Sequence, residues 1–328
     1  MTAQSESKTS GAVCPRYLMY QSSKRYSSAG EYPTICVTEK FVIAVSAGYY
    51  RSGTLFCTLG TLDGKKIAWT EAKKLELDGK CSFPSVAATS EGTVILAYVR
   101  NKRLCYYTVG SISDDEIEWS HSALIDDGKS PSISVCVGED STITVVIAFV
   151  SAAERGYTRV GTLELRSRAI RWSGEKHEIL PYCSTPKFKE VSIAISPSKD
   201  IAIAYRLRVW RICCQHGKVT NAGNDKYIDF NSTDNDLSRG NFPSVSINKQ
   251  GHVLMFFQSF AGRKIMCHSG VIQAGSLGGG IQWKEKEPEH IDYGCYPSVT
   301  LADSGMFIEL HGTHFGDDLY YRVGEIQA

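Results

Sequence analysis

Glu309 and His311 stand two residues apart in an apolar run, Phe307-Ile308-Glu309-Leu310-His311. A carboxylate and an imidazole this close can serve as acid and base when burial moves their pKa values toward neutrality. Arg206 and Gln258 end two other apolar runs, Ala204-Tyr205-Arg206 and Phe256-Phe257-Gln258. With Tyr98, Phe149, Tyr205 and Phe257 as apolar lining, these four polar residues describe one asymmetric pocket. Apolar walls with a few convergent polar groups are the usual form of a small-molecule site. In this reading Glu309 sits in the strand position that Val45, Ala97, Ala148, Ala204 and Phe256 hold elsewhere. A hydrated channel lined by polar side chains is the competing reading of the same residues.

Arginine gives a second pattern. Arg51, Arg103, Arg155, Arg208 and Arg263 recur 52 to 55 residues apart, each in a short turn, and Arg206 and Arg211 flank Arg208. Guanidiniums gathered on one rim would suit carboxylate, phosphate or sulfated-sugar ligands through forked hydrogen bonds. Solvated turn arginines paired with nearby acids would look the same in sequence. His311-Gly312-Thr313-His314 brings two histidines close, but a strand running into a turn does not aim both rings at one metal, and no third ligand is evident. No glycine-rich phosphate loop or nucleophile elbow is present, and Gly278-Gly279-Gly280 reads as a flexible link. No metal or other cofactor is expected.

Composition narrows the partners. The chain has 328 residues with 36 Lys and Arg against 35 Asp and Glu, a net charge of +1. That balance offers nothing to a nucleic-acid backbone. No apolar run approaches the ~18–20 residues that span a bilayer. Residues 1–14 are a polar lead-in without the pattern of a secretory signal. The eleven cysteines fall mostly inside apolar runs and form no CxxC pair. They read as reduced thiols, which points to the cytoplasm. The sequon Asn231-Ser232-Thr233 then carries no role.

What positions these residues is a repeat. A strand-opening motif of aromatic, Pro, Ser or Thr and a β-branched residue occurs as Tyr32-Pro33-Thr34-Ile35, Phe83-Pro84-Ser85-Val86, Phe242-Pro243-Ser244-Val245 and Tyr296-Pro297-Ser298-Val299. Ser130-Pro131-Ser132-Ile133 and Lys189-Glu190-Val191 are weaker copies. Next come the glycines Gly60, Gly110, Gly161, Gly217, Gly270 and Gly324, 50 to 56 residues apart, each read as ending a strand. An apolar-x-aromatic triplet follows: Ile67-Ala68-Trp69, Ile117-Glu118-Trp119, Ile170-Arg171-Trp172, Ile228-Asp229-Phe230 and Ile281-Gln282-Trp283. The sixth triplet is displaced to the other end of the chain, as Leu18-Met19-Tyr20.

Four strands per unit at a period of ~40–55 residues is the pattern of propeller blades. The expectation is an all-β, six-bladed β-propeller over residues 15–328, its last blade completed by the N-terminal strand. Turns between the second and third strands (B–C) and loops into the first strand (D–A) then share the ligand face. The triplet tryptophans read as packing between blades. The motif aromatics Tyr32, Phe83, Phe242 and Tyr296 are candidates for stacking on a ligand.

The stretches Tyr296 to His311, Leu319 to Gly324 and Phe242 to Phe257 resemble the repeats of lectin-like, sialidase-like β-propellers of bacteria and fungi. That resemblance implies carbohydrate binding as the activity. The sialidase box Ser-x-Asp-x-Gly-x-x-Trp is absent, so sialidase catalysis is not expected. Two functions stand side by side. One is a lectin-like protein that binds a glycan, anionic glycans among the candidates. The other is a single-pocket enzyme or binding protein for a small organic molecule, using Arg206, Gln258, Glu309 and His311.

Overall fold

The structure, a computed structural model, describes residues 17–27, 30–48, 52–179, 187–222, 225–273, 280–313 and 318–327. The lead-in 1–14, Arg51, Gly278, Gly279 and His314 lie outside the described residues. No helix occurs among those described.

Two short strands come first, β1 (Tyr17–Tyr20) and β2 (Lys24–Ser27). An antiparallel meander follows: β3 (Glu31–Val37), β4 (Val42–Ala47), β5 (Leu55–Asp63) and β6 (Lys66–Trp69), with β7 (Lys73–Lys74) also on β5. The plan repeats in β8 (Cys81–Ala88), β9 (Thr93–Arg100), β10 (Leu104–Ser113) and β11 (Glu116–Trp119), with β12 (Ala123–Asp127) on β10. It repeats again in β13 (Lys129–Val137), β14 (Ile143–Val150), β15 (Gly156–Glu164) and β16 (Ala169–Glu178). Then β17 (Phe188–Ile195), β18 (Asp200–Leu207) and β19 (Arg211–Ala222) lead into the long β20 (Asp225–Ile247). The first part of β20 pairs with β19 and its last part with β21 (His252–Ser259), so one strand serves two sheets. β22 (Lys264–Ile272), β23 (Ile281–Trp283) and β24 (Glu289–Tyr293) complete the second of these. Last come β25 (Cys295–Leu301), β26 (Met306–Gly312) and β27 (Leu319–Gln327).

Both N-terminal strands pair with β27. Leu18 lies opposite Ile326 and Tyr20 opposite Gly324 in β1, and Lys24 lies opposite Tyr321 in β2. This reproduces the two-piece outer strand seen as β6 with β7 and as β11 with β12. The registers Gly60↔Trp69, Gly110↔Trp119, Gly161↔Trp172, Gly217↔Phe230 and Gly270↔Trp283 match Gly324↔Tyr20. The expectation that these glycines end their strands is corrected, because β5, β10 and their counterparts run past them. Glycine is needed there for space. A Cβ on Gly60 would lie 2.8 Å from the Trp69 ring, and Gly110 and Gly161 meet Trp119 and Trp172 at 2.9 Å. The triplet aromatic thus packs across its strand onto a bare backbone.

Among the second strands β4 and β14 are buried along their whole length, and β9, β18, β21 and β26 through their central residues. Each lies between neighbouring sheets, which explains continuous apolar runs where a one-sided strand would alternate. The hydrophobic clusters sit between successive sheets. One of them joins the last sheet to the first, with Ile308, Leu310 and Val323 against Val42 and Ala44.

The first strands face an axial channel of about 160 Å³ lined by hydroxyls and aliphatic side chains. The motif Ser or Thr links each sheet to the next. Val86, Ile133, Ile193, Val245, Val299 and Ile35 donate their backbone N–H to Thr34, Ser85, Ser132, Ser192, Ser244 and Ser298 respectively, at 3.0–3.2 Å. These bonds identify Glu190-Val191-Ser192-Ile193 as the divergent motif copy, one residue beyond the sequence reading of Lys189-Glu190-Val191. The arrangement is all-β and propeller-like.

Candidate functional site

Loops into the first strands are tied to the second-to-third-strand turns by backbone bonds. Cys81 donates to the carbonyl of Gly53 at 2.8 Å, Gly128 to Arg103 at 2.7 Å, Gly240 to Trp210 at 2.8 Å and Gly294 to Arg263 at 2.9 Å. Both sets of segments therefore occupy one rim.

The rim arginines do not act alike. Arg103 faces Asp127 at 3.7 Å and Arg155 faces Glu178 at 3.2 Å, both well exposed. Such pairs contribute little to stability. Arg206 is enclosed and makes a forked pair with Glu190, whose Oε2 also accepts the N–H of Phe242 at 3.3 Å. Its guanidinium stacks 5.0 Å from the centre of the Trp210 ring. Arg206 is thus a positioning residue for Trp210. Arg208 and Arg263 are exposed on their turns.

Trp210 belongs to a feature the sequence reading did not single out. The turn between β18 and β19 carries Val209 and Trp210 at φ 71° and 67°. Left-handed backbone is unfavourable for bulky residues and most of all for β-branched ones. Both side chains are exposed, Val209 at 67% and Trp210 at 41%. The Trp210 ring lies 5.0 Å from that of Phe260, itself 57% exposed, on the turn between β21 and β22. Between these hairpins runs a groove of about 700 Å³ lined by Val209, Arg211, Ser238, Arg239, Met266 and Glu287 among others. Phe257, an expected ligand contact, also lines it. Ser238 hydrogen-bonds Nε2 of the buried His268 at 3.1 Å, and burial takes the His268 pKa down to about 4. The imidazole beneath the groove is therefore neutral at ordinary pH. The signal available in the sequence was a bulky Val-Trp pair at turn positions held by Asn101-Lys102 in the turn between β9 and β10.

At the axis, Tyr32, Phe83, Ser130, Phe242 and Tyr296 all adopt left-handed backbone, φ 49–55°, immediately before the motif proline or its equivalent. A bulge in each first strand turns these side chains inward. Tyr32 stacks against Phe83 at 4.3 Å and against Tyr296 at 4.5 Å, and Tyr296 meets Phe242 at 4.5 Å. The aromatics expected to stack on a ligand pack against one another. A pocket of about 120 Å³ remains beside them, lined in part by Ser130 and Glu190.

Glu309 and His311 form a hydrogen-bonded pair, with Nδ1 2.9 and 3.0 Å from the carboxylate oxygens. Glu309 is wholly buried and His311 nearly so. Burial pulls the His311 pKa down, but the Glu309 and Asp292 carboxylates prevail and raise it. Asp292 pairs in turn with Arg322, which packs over Tyr20 of β1 at 4.8 Å. Glu309 stands one residue away from the strand position that the sequence pattern assigns it. Ser298 pairs with Leu310, as Ser244 pairs with Phe256 and Ser192 with Ala204. Leu310 is therefore the counterpart of Val45, Ala97, Ala148, Ala204 and Phe256, and His311 takes the aromatic place of Tyr98, Phe149, Tyr205 and Phe257. His311 stacks on Tyr320 as Tyr98 stacks on Tyr106 and Phe149 on Tyr157.

The four residues expected to share one pocket thus stand on three successive sheets, with Arg206 paired to Glu190 and His311 to Glu309. Tyr98, Phe149 and Tyr205 are core, 0% exposed. Gln258 is 8% exposed, and its Oε1 has no hydrogen-bond partner among the described residues. Among those residues no group of three or more His, Cys, Asp or Glu side chains could hold a metal.

No protein-family model matches the sequence, and no curated protein matches it. The fold is similar to several solved structures. A Dyadobacter fermentans protein of unknown function matches with TM-score 0.64 and 11% identity, over 94% of this chain and 99% of that one. Trypanosoma rangeli sialidase bound to the inhibitor DANA matches with TM-score 0.60 and 11% identity, over 92% of this chain. The Hadza microbial sialidase Hz136 matches with TM-score 0.59 and 14% identity, over 90% of this chain. The match spans 55% of the trypanosomal enzyme and 65% of the Hadza one. Sialidase-like β-propellers are therefore its structural neighbours.

Proposed function

We propose that this chain is a lectin-like β-propeller of six blades that binds carbohydrate on the rim shared by the second-to-third-strand turns and the loops into the first strands. The observation that carries the reading is the exposed Trp210–Phe260 pair beside the 700 Å³ groove. An aromatic face receives the C–H face of a sugar ring, while arginine, serine and carboxylate side chains take its hydroxyls. The blade count and the closure by β1 and β2 are part of the proposal. They are supported by the cyclic run of hydroxyl-to-amide bonds, which returns from Ser298 to Ile35. Two of the similar structures are sialidases, a precedent for sugar handling on this fold.

A cytoplasmic setting completes the reading. All nine described free cysteines are buried, and burial pushes the thiols of Cys57 and Cys105 up to about 12, leaving them unreactive. Balanced charge argues against nucleic acid and anionic membrane surfaces as partners.

A glycan array followed by calorimetric titration tests the proposal. Trp210→Ala is expected to weaken glycan binding about tenfold or more without lowering the unfolding midpoint. Full affinity in that variant would remove the groove from consideration. Silence across neutral, sulfated and sialylated glycans would remove carbohydrate binding itself.

A further inference from the structure

We infer that the groove between the β18–β19 and β21–β22 hairpins selects glycans bearing an acidic group, a carboxylate or a sulfate ester. This rests on the carbohydrate reading above and adds the ligand class. The whole chain is nearly neutral, yet arginine is concentrated here. Arg211 and Arg239 line the groove, and Arg208 and Arg263 stand on the two flanking turns. Glu287 is the acid lining it.

Arg239 is the residue that sets the charge preference. It is exposed, lies at the bend where β20 passes from one sheet to the next, and makes no ion pair among the described residues. It thereby differs from Arg103, Arg155 and Arg206, whose charges are met by Asp127, Glu178 and Glu190. Its backbone is fixed on both sides. Arg239 pairs with Arg211 across the β19 ladder, and its carbonyl accepts the N–H of Phe260 at 3.2 Å. The same residue thus fastens the aromatic platform and presents a guanidinium beside it.

A planar guanidinium makes forked bonds to carboxylate and sulfate oxygens. A sugar ring seated on Trp210 and Phe260 would carry its acidic group toward Arg239. Glu287 and Ser238 then accept from ring hydroxyls. Glu287 also disfavours a ligand whose acidic groups surround the ring on every side, because one of them would face a carboxylate.

Matched oligosaccharides, each prepared plain, sulfated and carboxylated, provide the test in calorimetric titrations with the full chain. The acidic members are expected to bind about tenfold or more tightly than their plain counterparts, and added salt should narrow the gap. Arg239→Ala should abolish that gap, and so should Arg239→Gln, which keeps the side-chain stem and guards against a folding loss. Trp210→Ala should weaken plain and acidic members alike. A preference for sulfate or for carboxylate identifies the source of the charge and supports the inference in either case. Equal binding of plain and acidic members, or a gap that survives both Arg239 changes, overturns it while leaving the carbohydrate reading intact. Absence of binding by every member overturns both.

Discussion

Two turns on the same rim each place consecutive non-glycine residues in left-handed backbone, and they meet that demand in opposite ways. Between β9 and β10 the residues are Asn101 and Lys102, φ 52° and 70°. Asn tolerates this region, and the Asn101 side chain also accepts the backbone N–H of Lys80 at 3.3 Å. Between β18 and β19 the residues are Val209 and Trp210, φ 71° and 67°, among the least suited to it. The first turn follows local preference and carries no exposed apolar surface. The second goes against preference and exposes it. A turn that gives up stability to display an aromatic ring, beside a groove of about 700 Å³, is the pattern expected where binding is favoured over folding, as the proposed function requires.

Exchanging the turns is the strongest way to break this contrast. Val209→Asn with Trp210→Lys should lower glycan affinity about a hundredfold and raise unfolding free energy by about 1–2 kcal/mol, read by titration and urea denaturation. A loss of stability would refute the strain argument. The next effect concerns the support beneath the turn. Arg206→Ala leaves Glu190 enclosed without its partner and should cost about 2–3 kcal/mol, with weaker glycan binding as Trp210 loses its backing. Arg103→Ala, on the other rim turn, should change stability by no more than about 0.5 kcal/mol.

The smallest effect is one of pH. Burial holds His268 neutral, with a pKa of about 4, so the unfolded chain binds the extra proton as acid is added. Its contribution is present above the unfolded value near 6.5 and is lost as pH falls toward 4, by up to about 1.4 kcal/mol per pH unit. His311 runs the other way. Its raised pKa contributes stability that is full below the unfolded value and lost as pH rises through the folded one. Urea midpoints against pH should show His268→Gln relieving the acid limb and His311→Gln relieving the alkaline one. Identical profiles in wild type and both variants would show that neither imidazole differs in proton affinity from the unfolded chain.

The scaffold was legible because its repeats are steric. A glycine faces a triplet aromatic at Gly60, Gly110, Gly161, Gly217 and Gly270, where the ring leaves no room for a Cβ, and Tyr20 stands opposite Gly324 in the same register across three hundred residues, although there it is Phe307 that fills the space. The proposed binding rim was less legible. Five recurring arginines drew attention to the turns, yet Arg103 and Arg155 proved to be ordinary surface pairs. Glu309 and His311 looked catalytic because polarity alone was aligned, whereas register is set by backbone pairing at Ser298. His311 replaces a core aromatic and is hydrogen-bonded to its own buried partner. Arg239 and Trp210 gave no recurrent signal, since a single site leaves no period to find.

The hydroxyl-to-amide links around the axis also bear on how the molecule comes apart. A linear array of repeats can fray from a terminal unit, because that unit contacts one neighbour. Here each Ser or Thr takes an amide from the following sheet, including Ser298 with Ile35. Peeling any one sheet away strands a buried amide on one side and an idle hydroxyl on the other, a penalty of about 1–3 kcal/mol for the amide alone. In the closed propeller proposed above, melting would have no favoured starting point and the blades would come apart as a single cooperative unit.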